Sequence, residues 1–184
     1  MRRRNALLLA APTLAVVALA AAWWLTSGHG GNAPYAGLDS REIKALAPET
    51  VEGLRNGAGL GYALSAELND VPGPLHALEL DLGLTDEQRA AILAVQAEMR
   101  AEATLHGEAL IDAERALDAA FASGNPTPDD IERLTATAAI IEGRVRAAHL
   151  KAHLATQPIL TPEQRAAYAA ARGYGGHGGG HTGH

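Results

Sequence analysis

Apolar residues recur at helical spacing along two long stretches of the chain. In the first, Ile92, Val95, Met99, Ala103, His106, Leu110, Ala113, Leu117 and Phe121 share one face at about 100° per residue, which predicts a helix from Asp86 to about Ala122. Ser123-Gly124-Asn125-Pro126 has turn chemistry. In the second, Ile131, Leu134, Ala138, Ile141, Val145, Ala148 and Ala152 form the apolar face of a helix that runs to about Gln157, where Pro158 stops it. Thr127 is its cap, Pro128 takes its first position, and Asp129 and Asp130 suit the positive end of its dipole.

Two near-copies of one pentapeptide bracket this pair of helices. Leu84-Thr85-Asp86-Glu87-Gln88 opens it, Leu160-Thr161-Pro162-Glu163-Gln164 closes it, and Arg-Ala-Ala comes after both. Each copy reads as a helix start, in which Thr caps the helix and the Gln three residues on reaches back to the cap's own N–H. The second copy predicts a last helix over residues 162 to about 172.

Upstream, N-cap chemistry at residues 39–43 predicts a short helix to about Ala47, and Pro48 restarts one that ends near Arg55 or Asn56. Gly57-Ala58-Gly59-Leu60-Gly61 is a break; it comes after a helix and lacks Gly-x-Gly-x-x-Gly spacing, so it is not a phosphate loop. Residues 62–69 read as helical, residues 71–74 as a second break, and Pro74 begins a helix through about Leu82 that Gly83 punctuates. The expected fold is therefore all-α: a long antiparallel helical hairpin with shorter helices folded back on it. Its narrow, Ala-rich stripes favour a second copy of the chain covering the rest, a homodimer.

Residues 2–4 are Arg, and residues 6–26 carry no charge, about 21 residues, enough to span a hydrocarbon core of about 30 Å. Such a segment is a transmembrane anchor whose Arg cluster stays cytoplasmic, with Trp23 and Trp24 at the far interface. A cleaved signal peptide is the other reading, since Ala18-Leu19-Ala20 and Ala20-Ala21-Ala22 resemble cleavage sites. Under either reading the rest of the chain is exported. The chain then divides into 1–26, the anchor or signal helix; 27–71, linker and short helices; 72–172, the hairpin domain; and 173–184, a Gly/His-rich tail whose composition predicts flexibility.

Charge and chemistry narrow the function. The net charge is -6, and three of the basic residues sit in the first four positions, so the exported part is acidic and nucleic acid is excluded as a partner. Cysteine is absent, which removes disulfides, thiolate metal sites and a Cys nucleophile. No nucleophile–base pair or Gly-x-Ser-x-Gly context is present, so an enzyme is not expected.

The histidines carry the candidate chemistry. His149 and His153 lie four apart on the second long helix and point the same way, which lets both ligate one metal ion. His149 falls on the apolar face, eighteen residues and about five turns after Ile131. With the turn near Asn125, position 149 lies opposite about 101, which places Glu98, Met99 and Glu102 across from the pair and His106 about one turn away. His76, with Glu79 three residues on, can approach the same level. Two or three His with a carboxylate suit Zn, Ni, Co or Cu(II). The other reading is a buried or solvated pair that serves structure, with His149 or His153 hydrogen-bonded to Glu102. In the tail, His177, His181 and His184 among glycines read as weak metal capture or as an inert solubilising end.

The duplicated Leu-Thr-x-x-Gln motif, at 84–88 and 160–164 on an exported helical chain, resembles the Spy/CpxP-like periplasmic family, whose members include chaperones, CnrX-type heavy-metal sensors and ZraP-type zinc-binding proteins. The resemblance covers about residues 72–172 and implies a hooked helical hairpin, a homodimer, and a periplasmic location, tethered to the inner membrane through residues 6–26 or soluble after cleavage. In CnrX-type sensors a His pair on the first helix, a Glu, and a His-x-x-x-Met pair on the later long helix bind the metal. Here His149 and His153 match the last pair, with His in place of Met, and Glu102 or Glu98 stands for the carboxylate. The first pair is not reproduced, because four residues beyond His76 the chain has Leu80. The resemblance implies a metal sensor with a membrane signalling partner, or a holdase for unfolded envelope proteins.

Overall fold

Three threonines start the principal helices. In the computed structural model, which describes residues 34–174, Thr85, Thr127 and Thr161 each accept a hydrogen bond from the backbone N–H three residues on, and each is part of a complete capping box. The chain divides into two units, Met1–Ser40 and Arg41–His184. The described part of the first is a pair of turns, one closed by the Leu38 N–H donating to the Tyr35 carbonyl at 3.0 Å.

The second unit contains α1 (Pro48–Asn56), α2 (Leu64–Glu67), α3 (Pro74–Glu79), α4 (Asp86–Ala122), α5 (Pro128–Thr156), a 3-10 turn (Gln157–Ile159) and α6 (Pro162–Ala171). The described residues are all helix, turn and coil, with no strand. α4 and α5 make the hairpin expected from their periodicity, and the register is close to that expected, since Lys151 on α5 meets Glu102 on α4.

Two apolar clusters hold the shorter elements against the hairpin. One joins Ile43, Val51 and Leu54 to Leu110, Ile111, Ala113, Ala138 and Val145. Here α1 crosses α4 closely at Gly107, where a Cβ would lie 2.3 Å from the Leu54 carbonyl oxygen. The other cluster joins Ala77 and Leu82 to Ile92, Leu160 and Tyr168. Phe121, expected on the buried face, is 60% exposed. It lies in the last turn of α4, past Ala113 and Ala138, where the packed cluster ends.

The two pentapeptides meet at the base of the hairpin. The Gln88 and Gln164 side-chain amides hydrogen-bond each other in both directions, at 2.8 and 3.0 Å. Each carboxamide oxygen also accepts from the N–H of its own Thr, Gln88 from Thr85 at 3.0 Å and Gln164 from Thr161 at 2.9 Å. Each amide nitrogen donates to a carbonyl just ahead of the other motif, Gln88 to Ile159 at 2.8 Å and Gln164 to Gly83 at 3.4 Å. The motif thus caps two helices and locks their starts together.

Three expected helices are corrected. Residues 41–47 form turns: Ile43 plugs the first cluster and the Lys44 N–H donates to the Asp118 carboxylate at 3.0 Å, so tertiary partners replace helical ones. The helix expected over 62–69 shortens to Leu64–Glu67, because Asp70 takes a left-handed φ of 58° and the Val71 N–H closes onto the Ala66 carbonyl. The helix expected through Leu82 stops at Glu79, where Leu80 turns extended and delivers Leu82 into the second cluster; Gly83, at φ 61°, turns the chain into the first pentapeptide instead.

Replacing Gln88 or Gln164 by Ala should each cost about 2 kcal/mol of stability, since several satisfied partners lose their mate. The double replacement should cost less than the sum, because both remove the same amide pair; urea unfolding of the four proteins measures this.

Candidate functional site

The segment between α1 and α3, residues 57–73, lies over α5 and meets both of its histidines there. A cavity of ≈ 480 Å³ sits at this junction, lined by the glycine-rich break at 57–61, by His76, by Gln96, Met99 and Arg100 of α4, by His149 and His153, and by Arg172 and Tyr174 beyond α6. His149 is 3% exposed and His153 is 7% exposed.

Each imidazole is oriented by this segment's backbone. His153 Nδ1 lies 2.8 Å from the Val71 carbonyl, which only accepts, so Nδ1 carries the hydrogen and donates. That tautomer leaves Nε2 with a lone pair when the ring is neutral. The far edge of the ring rests on Gly73, where a Cβ would lie 2.6 Å from Cε1 and Nε2, so only glycine admits the ring at this distance. His149 engages the Ala58 backbone, while its Nε2 is buried without a hydrogen-bond partner. Burial first, and the neighbouring His153 next, push the His149 imidazole below its ordinary value and hold it neutral, against the opposing pull of Ala58.

A polar chain ties the cavity to α6. The Gly73 N–H donates to the Tyr168 hydroxyl at 3.2 Å, and Tyr168 donates to Glu67 Oε1 at 2.6 Å. Arg172 donates to Glu67 Oε2 at 3.1 Å and to the Tyr174 hydroxyl at 3.2 Å. Burial of the Glu67 carboxyl is outweighed by the hydrogen bonds of Tyr168 and Arg172, which hold it below the usual carboxylate range. Burial, and then Glu67, push the Tyr168 phenol far up, so it stays a donor.

The structure brings His76, His149 and His153 to one cavity and places Glu102 and His106 elsewhere. Glu102 accepts from Lys151 at 2.8 Å, and His106 Nε2 stands 3.9 Å from its carboxylate. Lys151 comes two residues after His149, about 200° around the helix, so the carboxylate it holds lies on the other side of α5. His76 Nδ1 pairs with Glu79 at 3.0 Å. Among the described residues, no three His, Cys, Asp or Glu side chains form a ready metal cluster. Sequence reasoning missed Ala58, Glu67, Val71, Gly73 and Tyr168; they reach the histidines from far along the chain, and nothing local marks them.

His153 has the orientation that is common among metal-ligating histidines. Metal-ligating histidines commonly donate one ring N–H to a carbonyl or carboxylate, which fixes the tautomer and frees the other nitrogen. A family model described as LTXXQ motif family protein matches residues 71–172. The chain belongs to the LTXXQ motif family. No curated protein and no solved structure compared with it gave a match. In this LTXXQ chain the matched region holds Gly73, His76, His149 and His153, while Ala58 and Glu67 precede it. The anchor or signal helix over residues 6–26 and the tail residues His177, His181 and His184 lie outside the described residues. Among the described residues, no helix is long and apolar enough to cross a membrane.

This geometry makes two outcomes testable. Gly73→Ala should cost about 1–3 kcal/mol, because backbone or imidazole must move, and should displace the His153 ring signals in an NMR spectrum. Because the folded state holds His149 below the usual imidazole range, the unfolded chain takes up that proton first as pH falls. Stability should be full above about pH 6.5 and drop as pH falls through that value toward the folded pKa. Urea midpoints at about pH 7.5 and about 5.5 should show this drop, and His149→Gln should reduce it.

Proposed function

We propose that this chain is a periplasmic metal-binding protein, held at the inner membrane through residues 6–26, that reports or buffers a divalent transition metal by a metal-dependent change of conformation. One observation carries the reading: two buried imidazoles share a cavity, both engage backbone groups of one crossing segment, and the Nε2 of His149 has no partner. Neutral imidazole nitrogens suit Zn, Ni, Co or Cu, and the acidic exported body attracts cations. The metal would supply Lewis-acid bonds to those nitrogens. His149 and His153 are the residues to hold it, and the 57–73 segment is the element it biases, by binding one arrangement better than another. This reading sets the chain beside the CnrX-type sensors and ZraP-type proteins, with a membrane signalling partner to receive the change. A homodimer fits it, because Ala90, Ala94, Ala97 and Ala101 form an exposed small-residue face on α4, flanked by the exposed Leu93 and Leu105.

Calorimetric titration with Zn, Ni, Co and Cu salts tests it. The parent chain should bind at least one of them tightly, and His149→Ala with His153→Ala should abolish that binding or weaken it at least about a hundredfold. Saturation at about 100 times Kd should add about 2.7 kcal/mol to stability. Unchanged binding in the double variant would sink the reading.

A different feature favours a holdase-type chaperone. Leu64, Leu68 and Leu75 are 54%, 57% and 42% exposed, and two of them, Leu64 and Leu75, line the mouth of the same cavity. If clients bind there, metal-free protein suppresses aggregation of a model client, and Leu64→Ser with Leu68→Ser removes that protection. Aggregation unaffected by an excess of the parent chain counts against it.

A further inference from the structure

The backbone that orients His153 is itself held by one face of α6. His153 Nδ1–H donates to the Val71 carbonyl at 2.8 Å, and the far edge of the ring rests on Gly73. Between these two, Pro72 is fully buried; its ring fixes its own φ and confines Val71 to extended backbone. Residues 71–73 are therefore a stiff piece of chain. The direction of the Val71 carbonyl is set by whatever holds the two ends of that piece.

Both ends are held from the C-terminal side of the chain. At the front, the Asp70 carboxylate accepts from Arg165 Nε at 3.2 Å and the Asp70 carbonyl accepts from Gln157 Nε2 at 3.0 Å. At the back, the Gly73 N–H donates to the Tyr168 hydroxyl at 3.2 Å. Glu67, farther upstream, accepts from Tyr168 at 2.6 Å and from Arg172 at 3.1 Å. Arg165, Tyr168 and Arg172 are spaced by three and then four residues, so they project from one face of the helix. Tyr168 is the one buried side chain of α6. Helix α6 thus docks through few groups, and the same groups aim an imidazole. His149 is oriented separately, by the Ala58 backbone.

We propose that Tyr168 is a positioning residue of the metal site: by docking α6 onto residues 67–73 it aims His153 Nε2 and raises the affinity of the site for a divalent transition metal. The inference rests on the metal-binding function proposed for the same pair of histidines. It needs no contact between α6 and the metal. Linkage makes the effect reciprocal, so whatever α6 docking adds to metal affinity, bound metal adds to α6 docking. Helix α6 is then the element that registers whether the site is filled.

The experiment uses the full-length chain in detergent with Zn²⁺ as the probe. It compares the parent with Tyr168→Phe, Asp70→Asn, Thr127→Ala, and His149→Ala with His153→Ala. Phe keeps a ring in the second cluster and removes only the hydroxyl. Asn tolerates the left-handed backbone at position 70 and removes the charge that Arg165 meets. Thr127→Ala removes the cap of α5 at the hairpin turn and controls for lost stability alone. In the metal-free parent, ¹⁵N NMR of the imidazoles should show His153 as the Nδ1–H tautomer, and Tyr168→Phe should lose that single tautomer. Zn²⁺ affinity, from competition with a chelator, should fall about tenfold or more in Tyr168→Phe, by less in Asp70→Asn, and not in Thr127→Ala. Saturating Zn²⁺ should slow hydrogen exchange of the Gly73 N–H by about the same factor in the parent, about tenfold. If Tyr168→Phe does not fold, Asp70→Asn decides. Parent affinity and the parent His153 tautomer in Tyr168→Phe, with binding lost in the double histidine variant, overturn the positioning role and leave the metal function standing. An equal fall in Thr127→Ala also overturns it, because lost stability then accounts for the effect. Tight binding that survives the double histidine variant overturns the metal function of this pair and the inference with it.

Discussion

The mutual amide pair of Gln88 and Gln164 is the constraint on which the rest of the fold depends. A carboxamide has two donors and a two-lone-pair oxygen, and both glutamines use all of them. Each closes its own capping box, reaches the other motif's carbonyl and binds the other amide. The starts of α4 and α6 are therefore set against one another. The second cluster, with Leu160, Ile92 and Tyr168, packs beside this junction. A partly buried network in this state has no spare polar group to lose, which is why it specifies one arrangement.

The candidate site depends on that placement. With α6 locked at its start, Tyr168 is buried and its hydroxyl can meet the Gly73 N–H and Glu67 together. That pins the chain between α2 and α3 over α5, and the Val71 carbonyl then meets His153. Gly57 and Gly107 permit the other end to lie close, since α1 ends at a left-handed Gly57 and crosses α4 where only hydrogen fits. The result is a segment held at both ends over two imidazoles, with one nitrogen left bare.

Local signals read well. The three capping boxes, the proline at the first position of α5 and α6, and the apolar phase of α4 and α5 are all within-turn features, and the helix boundaries of the hairpin agree with them to about a residue. The burial of His149 was legible too, because it shares the phase of Ile131 and Val145. The short elements read poorly. At residues 41–47, 62–69 and 74–82, propensity favoured helix, but Ile43, Asp70 and Leu82 each serve a tertiary contact or a turn that a longer helix would break. Four-residue and six-residue helices have little intrinsic stability to resist this.

Residue order was enough to set where the long helices begin, which way their faces point, and that two histidines lie together on one of them. These depend on bonds and angles within a few residues. The partners of those histidines were settled by packing instead. Val71 and His153 are separated by 82 positions, and Glu67 and Arg172 by 105, so no periodicity connects them. Packing also sent Glu102 to Lys151 and brought Tyr174 to the cavity, because the side of a helix that a neighbour occupies is fixed only when the crossing segment and α6 have docked.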